Sequence, residues 1–253
     1  MDQTVFSLTG KLALITGGGT GIGFDIARCM VQAGATVVIT GRREEPLQAA
    51  VAELGKNAHY FTNDVADLSG LEPLVEQIER AIGPIDILVN NAGINLKKPA
   101  LEVTDEEFSR IIQTNLNAVF GLTRACARRM VPRRSGSILM ISSMAAYYGI
   151  DRVAAYAASK SGVEGMVKVL ASEFSPHNVR VNAIAPGFIE TEMSKKAMGG
   201  DPDRRDRAMR RTPMGHFGKP EDIGHAAVFL SSEAARYITG ASLPVDGGNS
   251  IGF

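Results

Sequence analysis

The chain has 253 residues, of which 45% are hydrophobic and 21% charged, a composition typical of a globular protein with a large core. Its 27 basic and 27 acidic residues give a formal net charge of zero, which disfavours a nucleic-acid-binding protein. With no visible secretory signal or membrane-spanning run, two isolated cysteines and four scattered histidines, we expect a cytoplasmic protein without a metal site.

Short apolar runs alternate with amphipathic segments along the whole chain, as in doubly wound α/β proteins. The predicted strands are Leu12–Thr16, Ala35–Thr40, Ala58–Thr62, Ile85–Val89, Ser137–Ile141, Val179–Ile184 and Ser242–Val245. The predicted helices are Ile22–Ala33, Glu44–Leu54, Leu68–Ile82, Thr104–Met130, Val153–Phe174 and Pro220–Leu230. We therefore expect a single Rossmann-type domain over residues 1–253, with about seven parallel strands and helices on both faces.

The segment Phe188–Lys219 interrupts this alternation. It follows the end of a predicted strand and is rich in glycine, proline and charged residues. A long insertion at such a point is usually either a functional lid or a disordered loop. Because ligands of open α/β sheets bind at the carboxyl ends of the strands, we favour the lid.

A glycine-rich turn, TGGGTGIG at residues 16–23, joins the first strand to the first helix. Gly17 would permit the tight turn, and Gly21 and Gly23 would let the backbone approach a ligand closely. The free N–H groups of the following helix N-terminus suit a pyrophosphate. The turn therefore predicts dinucleotide binding, although a merely flexible loop has the same composition.

The end of the second strand indicates which dinucleotide would bind. NAD-binding folds place a carboxylate there, about 20 residues beyond the glycine turn, for the ribose 2′-hydroxyl. Here Arg42 and Arg43 occupy that place, and guanidinium groups suit a 2′-phosphate. The pattern favours NADP over NAD. Two solvated surface arginines are the alternative.

Asparagine residues mark two further places. The fourth predicted strand ends in NNAG at residues 90–93, where small residues and amide groups would bring backbone near a ligand and tie strand ends together. Asn115 lies in the middle of a predicted helix, where asparagine is unfavourable, and could mark a local break. A simple turn and a surface asparagine are the alternatives.

The stretch from Ile141 to Lys160 carries the most chemistry. Tyr156 and Lys160 are four residues apart in a predicted helix and so share one face. We expect the ammonium to lower the tyrosine pKa from about 10 toward the range of a general acid or base. Ser143 follows a predicted strand whose end would deliver its hydroxyl to the same cavity. A core tyrosine with a solvated lysine is the alternative.

The ordered set of motifs resembles the short-chain dehydrogenase/reductase family over essentially the whole chain. The set comprises TGGGTGIG, Asp64-Val65, NNAG, Asn115, Ser143, YAASK at 156–160, PG at 186–187 with Thr191, and VDGG near the end. The resemblance implies an NADP-dependent enzyme that interconverts a secondary alcohol and a ketone. In it, Tyr156 would be the general acid or base, and Lys160 would lower the Tyr156 pKa and bind the nicotinamide ribose. Ser143 would hydrogen-bond the substrate oxygen, and Asn115 would hold a water that links Lys160 to solvent.

The resemblance also implies the cofactor contacts. Asp64 would contact adenine, and Asn91 and Gly93 the adenosine ribose side. Ile189 and Thr191 would contact the nicotinamide amide. The implied cofactor-binding residues are Gly17, Thr20, Gly21, Ile22, Gly23, Arg42, Arg43, Asp64, Val65, Asn91, Ala92, Gly93, Tyr156, Lys160, Pro186, Gly187, Ile189 and Thr191.

The motifs do not name the substrate, but we favour a sugar acid or a polyol-like keto compound over a β-keto thioester. The stretches FSLTGK and GINLKKP look similar to gluconate 5-dehydrogenases and related sugar-acid dehydrogenases, whereas APGFIETEM and YITG are shared with 3-oxoacyl-(acyl-carrier-protein) reductases. An acidic carrier protein needs a basic surface, which the arginines at 128, 129, 133 and 134 could supply. The basic residues of the lid, Lys195 and Lys196 among them, favour an anionic small substrate. A non-catalytic NADP-binding sensor or scaffold is the third possibility.

Two helices carry surfaces that suggest self-association. One has a small-residue face, made of Ala154, Ala157, Ala158, Ser161 and Gly165. The other has apolar residues beyond a single stripe: Phe108, Ile111, Ile112, Leu116, Val119, Phe120 and Leu122. We predict a homotetramer, with a dimer as the fallback and the run Leu243–Phe253 completing a second contact. Packing of these faces on the sheet is the alternative.

Overall fold

A parallel sheet of seven strands forms the centre of the molecule. The structure, a computed structural model, describes residues 3–192, 194 and 202–252. The strands are β1 (Leu12–Thr16), β2 (Thr36–Gly41), β3 (Ala58–Thr62), β4 (Ile87–Asn90), β5 (Gly136–Ile141), β6 (Val179–Pro186) and β7 (Ser242–Val245). They lie in the order β3-β2-β1-β4-β5-β6-β7, and each neighbouring pair is parallel. The predicted doubly wound sheet is confirmed.

The inner strands are buried on both faces, which explains their nearly continuous apolar sequences. All five residues of β1 are buried, and so are all four of β4. The strand order reverses between these two, because the chain builds outward from β1 on one side and from β4 on the other. In such sheets a ligand binds in the crevice at this reversal, outside the carboxyl ends of the strands.

Helices cover both faces of the sheet. They are α1 (Gly21–Gln32), α2 (Glu44–Leu54), α3 (Leu71–Ala81), α4 (Asp105–Ile112), α5 (Ala118–Arg133), α6 (Ala154–Phe174), α7 (Pro202–Arg210) and α8 (Pro220–Ser231). One apolar cluster lies between the sheet and α3, α5 and α6. A second cluster lies on the opposite face, against α1, α2 and α8. The sheet therefore holds two cores apart and leaves its carboxyl edge for a site.

The predicted helix Thr104–Met130 is divided in two. A π-helical turn, Gln113–Asn117, separates α4 from α5. The predicted capping box at the start of α4 is present: the Glu107 N–H donates to the Thr104 hydroxyl at 3.2 Å, and the Glu107 carboxylate accepts from the Thr104 N–H at 3.0 Å. The π turn presents Asn115 to the interior, as the next section describes.

The predicted lid, Phe188–Lys219, contains α7 and is closed at its base. Gly218 donates to the Phe188 carbonyl at 3.0 Å and accepts from the Glu190 N–H at 2.9 Å. The two ends of the segment therefore meet next to the end of β6. Lys195 and Lys196, named above for their charge, lie outside the described residues.

Both cysteines are buried free thiols, Cys29 in α1 and Cys126 in α5. Burial raises the pKa of Cys126 to about 12, which makes it unreactive. Within the described ranges, no helix combines the length and the apolar character that crossing a membrane requires.

Candidate active site

The glycine-rich turn folds tightly over the end of β1. Gly17 has a φ of +65°, and its N–H donates to the Thr40 carbonyl at 2.8 Å. A Cβ on Gly23 would overlap both the Gly17 carbonyl and the Asn91 amide, so only glycine fits there. Thr20 is exposed at the N-cap of α1 and forms no side-chain capping hydrogen bond. The turn therefore leads directly into the N-terminus of α1, and the pyrophosphate site there stays a prediction.

The end of β4 is fastened to this turn through Thr16 and Asn91. The Thr16 hydroxyl accepts the N–H groups of Asn91 and Ala92, both at 3.0 Å. The Asn91 amide donates to the Thr16 carbonyl at 2.9 Å. The prediction that asparagine ties strand ends together is confirmed. Thr16 belongs to the predicted glycine-rich motif but has no predicted role of its own, although a threonine at the last position of a buried strand is a usable signal.

Arg42 and Arg43 are both exposed where β2 ends and α2 begins. Neither forms an ion pair with any carboxylate of the described residues. Glu44 is turned toward β3 instead, where it accepts the Tyr60 hydroxyl at 3.0 Å. Two unpaired guanidinium groups therefore stand beside the glycine-rich turn.

The adjacent end of β3 carries Asp64 and Val65. Asp64 is exposed, and its carboxylate accepts the Ala66 N–H at 3.0 Å. Val65 is partly buried against the core. Two buried oxygens nearby, Thr40 Oγ1 at the end of β2 and Asn63 Oδ1 after β3, have no hydrogen-bond partner among the residues described. This edge is polar and incompletely satisfied, which suits a polar ligand.

Ser143, Tyr156 and Lys160 come together at the end of β5. Lys160 is only 4% exposed, and its ammonium donates to the Ile141 carbonyl at 2.7 Å. The same nitrogen lies 5.6 Å from the centroid of the Tyr156 ring. The Ser143 hydroxyl is close enough to the Tyr156 phenol to lower its pKa. The sequence-based grouping of these three side chains is thus reproduced, and the solvated-lysine alternative is wrong.

The pKa values in this group differ from the expectation. Burial raises the pKa of Tyr156, and the hydrogen bond from Ser143 opposes that change only in part. Burial lowers the pKa of Lys160 to about 8. The expected net lowering of the Tyr156 pKa is therefore not seen in this arrangement, in which the ammonium donates to the Ile141 carbonyl, and an effect of Lys160 on the phenolate stays a prediction. Tyr156 is held in its protonated form, ready to donate.

Asn115 is fully buried in the π turn, so the surface alternative is wrong and the predicted helix break is confirmed. Its side chain forms two hydrogen bonds with the backbone of Ile94. The amide oxygen of Asn115 accepts the Ile94 N–H at 2.9 Å, and the amide nitrogen donates to the Ile94 carbonyl at 2.8 Å. The nitrogen also lies 3.2 Å from the Ser159 hydroxyl, which donates to the Tyr156 carbonyl. Asn115 therefore positions the loop after β4 against the first turns of α6. The water that the resemblance assigns to it stays a prediction.

The loop after β4 approaches the same group through Gly93. A Cβ at this glycine would lie 3.3 Å from the Asn115 oxygen and 3.8 Å from the Lys160 nitrogen. Because Gly93 has no side chain, the backbone of this loop can lie close to Asn115 and Lys160.

Deeper in the core, the Asn90 side chain donates to the Thr123 hydroxyl at 2.9 Å and joins β4 to α5. Thr123 and Ser159 were not foreseen, because their partners are distant in sequence.

The end of β6 completes the crevice. Pro186 is the last residue of β6, and a Cβ on Gly187 would lie 2.6 Å from the Asp246 Cα, so the two loops touch. Ile189 is 5% exposed. A Cβ on Gly21 would lie 3.7 Å from the Thr191 methyl group, so the loop after β6 faces the start of α1. The predicted contact residues from the two halves of the sheet therefore converge.

Among the residues that the structure describes, no group of three or more histidine, cysteine, aspartate or glutamate side chains could hold a metal ion.

Comparison with known proteins gives consistent likenesses. The family model for enoyl-(acyl carrier protein) reductase matches residues 17–250. A 3-oxoacyl-(acyl-carrier-protein) reductase of Thermotoga maritima is 40% identical over 246 residues, which cover 95% of this chain and 98% of that protein. A gluconate 5-dehydrogenase of Gluconobacter oxydans is 38% identical over 250 residues, which cover 98% and 97%.

Solved structures agree. The crystal structure of a gluconate 5-dehydrogenase from Burkholderia cenocepacia, in complex with NADP and tartrate, matches with a TM-score of 0.94 at 35% identity and covers 99% of each chain. Taken with the parallel sheet and the grouping of Ser143, Tyr156 and Lys160, these likenesses show that the chain belongs to the short-chain dehydrogenase/reductase family of oxidoreductases.

Proposed function

We propose that the protein uses NADP(H) to interconvert a secondary alcohol and a ketone, with a sugar acid or a polyol-like keto compound as substrate. The observation that carries this proposal is the convergence of Ser143, Tyr156 and Lys160 at the end of β5, beside the glycine-rich turn. A purely nucleotide-sensing protein would have no need for that arrangement.

The site's own residues account for the proton chemistry. When bound, the nicotinamide supplies or accepts the hydride. As a ketone is reduced, negative charge develops on its oxygen, and the Ser143 and Tyr156 hydroxyls are donors suited to that charge. Tyr156 gives up its phenolic proton in reduction and takes one back in oxidation. The Lys160 ammonium, held by the Ile141 carbonyl, stabilises the phenolate that remains.

Three features of the carboxyl edge fit NADP. The glycine-rich turn folds tightly because Gly23 has no Cβ, which would overlap the Gly17 carbonyl and the Asn91 amide. The start of α1 offers N–H groups to a pyrophosphate. Arg42 and Arg43, which pair with no carboxylate in the described part of the chain, offer guanidinium groups to a 2′-phosphate. The NADP in the Burkholderia gluconate 5-dehydrogenase supports the same choice.

Arg42→Ala should remove most of the preference for NADP over NAD. A hydrogen-bonded charge pair of this kind is worth about 1.5–3 kcal/mol, which corresponds to about one to two orders of magnitude in affinity. We expect the ratio of kcat/KM for the two cofactors to fall by that factor, and Arg80→Ala, at an exposed position of α3, to leave it unchanged. Equal use of NAD and NADP by the wild type would show that the arginines do not select the cofactor.

The basic surface that a carrier protein would need is largely neutralised. Arg129 pairs with three carboxylates of α3, and its neighbours are also engaged. These contacts join Arg128 to Glu72, Arg129 to Glu72, Glu76 and Glu79, Arg133 to Glu79 and the Ile85 carbonyl, and Arg134 to the Pro176 carbonyl. A sugar acid is therefore favoured over an acyl carrier protein. The 40% identity to a 3-oxoacyl reductase keeps a β-keto thioester as the second candidate.

An NADPH-oxidation assay separates these functions. It compares a keto sugar acid, the matching neutral ketose and an acetoacetyl thioester at equal concentration, with NADPH and with NADH. We expect the highest kcat/KM for the keto sugar acid with NADPH. A higher value for the thioester would replace the proposed substrate, and no turnover of any carbonyl compound would support the sensor or scaffold.

We also propose that the protein is a homotetramer. The small-residue face of α6 is open, since Ala154, Ala158, Ser161 and Gly165 are exposed and a Cβ on Gly165 would meet nothing within 4 Å. Nearby α-helical apolar side chains are also exposed: Phe108 40%, Phe120 42% and Val169 56%. By contrast, Ile111, Val119 and Leu122 are buried in the chain's own core.

Light scattering should give a mass of four times 26.9 kDa for the wild type. Gly165→Glu should lower that mass, because a buried carboxylate in a helix contact is unfavourable. Ala49→Glu, at an exposed position of α2 on the opposite face, should not. A fully active monomer at micromolar concentration would refute the tetramer. The run Leu243–Phe253 is proposed for a second contact between subunits, and its last residue, Phe253, lies outside the described residues.

A further inference from the structure

Arg211, in the segment after α7, is held in a fixed orientation and has no carboxylate partner among the described residues. Its guanidinium carbon lies 3.9 Å from the centroid of the Tyr148 ring, and its Nε donates to the Asn249 carbonyl at 3.1 Å. It forms no ion pair with the carboxylates of the described residues. Its guanidinium is therefore fixed in position, and no carboxylate of the described residues neutralises its charge.

The supports of Arg211 are themselves fixed. Asn249 is fully buried, accepts the Tyr148 hydroxyl and donates to the Thr212 hydroxyl at 3.0 Å. The Thr212 hydroxyl in turn donates to the Ala208 carbonyl of α7 at 2.8 Å. This network leaves the guanidinium little freedom to move, so it would lose little entropy on binding a ligand.

Three segments that leave the carboxyl edge of the sheet build this network. Tyr148 lies five residues after Ser143, and its N–H is bonded to the Met144 carbonyl at 3.2 Å. Asn249 follows the end of β7 by four residues, and Arg211 lies between β6 and α8. The network is therefore at the same edge of the sheet as Ser143 and Tyr156.

Arg211 differs from the arginines of α5 in the chemistry it can offer. The guanidinium groups of Arg129 and Arg133 form ion pairs with glutamates of α3. Arg211 donates its Nε–H to a backbone carbonyl, and its guanidinium carbon lies over the Tyr148 ring. A guanidinium fixed in this way still has paired N–H groups in the geometry that a carboxylate accepts.

We propose that Arg211, positioned by Tyr148 and Asn249, recognises the carboxylate of the substrate. This inference rests on the proposed function and identifies the residue that selects a sugar acid over a neutral ketose. The carboxylate accepts from the guanidinium while the reacting carbonyl lies at Ser143 and Tyr156.

Kinetics of Arg211→Met on two matched substrates test the proposal. For a keto sugar acid we expect KM to rise about ten- to a hundredfold, with a smaller change in kcat. For the neutral ketose in which a primary alcohol replaces the carboxylate, kcat/KM should stay within about twofold, and so should the Kd of NADPH. The matched control is Arg210→Met, an exposed neighbouring arginine whose loss should change neither substrate.

An unchanged ratio of kcat/KM for acid and ketose in a folded Arg211→Met protein would overturn the proposal. Melting temperatures establish folding first. If Arg211→Met does not fold, Arg211→Lys carries the test, because lysine keeps the charge but lacks the planar pair of donors. A selective increase in KM for the acid then supports the proposal, and no increase overturns it. Failure of the wild type to use any sugar acid would remove the proposed function itself.

Discussion

Replacing Tyr156 with phenylalanine should lower kcat at least about a hundredfold while the protein still binds NADP(H). Only the hydroxyl is removed, so the ring keeps its packing beside Lys160. General acid–base catalysis by a positioned group contributes roughly 10²–10⁴-fold, and the Tyr156 hydroxyl is the proton carrier of the proposed reaction. Cofactor fluorescence titration should give a Kd within about twofold of the wild type.

The chain supplies its own control for this substitution. Tyr147 is 43% exposed in the same loop region and has no place in the site, so Tyr147→Phe should retain wild-type kcat. Activity of Tyr156→Phe within about tenfold of the wild type would remove Tyr156 as the proton carrier.

Replacing Lys160 with methionine should lower kcat at least about a hundredfold and also weaken NADPH binding about tenfold. The two effects are expected together because we propose two roles for Lys160: it stabilises the Tyr156 phenolate and it binds the nicotinamide ribose. The variant should fold. The Ile141 carbonyl loses its donor, at a cost of about 1–3 kcal/mol, but a desolvated ammonium is removed at the same time.

The pH dependence gives a second measure of Lys160. Its pKa in the folded protein, about 8, is below the ordinary lysine value, so the ammonium is lost as pH rises through 8. Wild-type reduction should therefore fall above about pH 8, and Lys160→Met should lack this decline.

The same shift has a consequence for stability. At pH values between the folded and the unfolded pKa of Lys160, the unfolded chain binds more protons than the folded protein. Burying the ammonium therefore lowers the free energy of unfolding by its full amount below pH 8, and this destabilisation decreases as pH rises above 8. Lys168→Met, at an exposed position of the same helix, is the control for both measurements. An unchanged Kd for NADPH in Lys160→Met would leave Lys160 without a cofactor role.

Local sequence signals predicted the framework well. Apolar runs such as LALIT identify buried parallel strands because both faces of such a strand are covered. All five residues of this run are buried, so the signal is contained in the run itself. The need for glycine at Gly23 and the exposure of Arg42 also follow from local chemistry. Strand ends are predicted less accurately: β4 spans Ile87–Asn90, rather than the expected Ile85–Val89.

Long-range contacts explain what sequence could not predict. The arginines of α5 look like a free basic surface until the fold brings the glutamates of α3 beside them, more than fifty residues away in the chain. The direction of the Tyr156 pKa shift depends on burial by several elements, which no i to i+4 spacing encodes. The network that holds Arg211 likewise joins residues from three separate segments.

Hydride transfer to a keto sugar acid can be followed directly with NADPH that carries deuterium at both hydrogens of its reactive nicotinamide carbon. The new hydroxyl proton exchanges with solvent, so deuterium on the carbinol carbon can come only from the hydride. With the wild-type protein we expect one deuterium on that carbon, and with Tyr156→Phe essentially none in the same time. Wild-type incubations in which all of the label stays in the nucleotide would contradict the assignment of this protein as an NADP-dependent sugar-acid oxidoreductase.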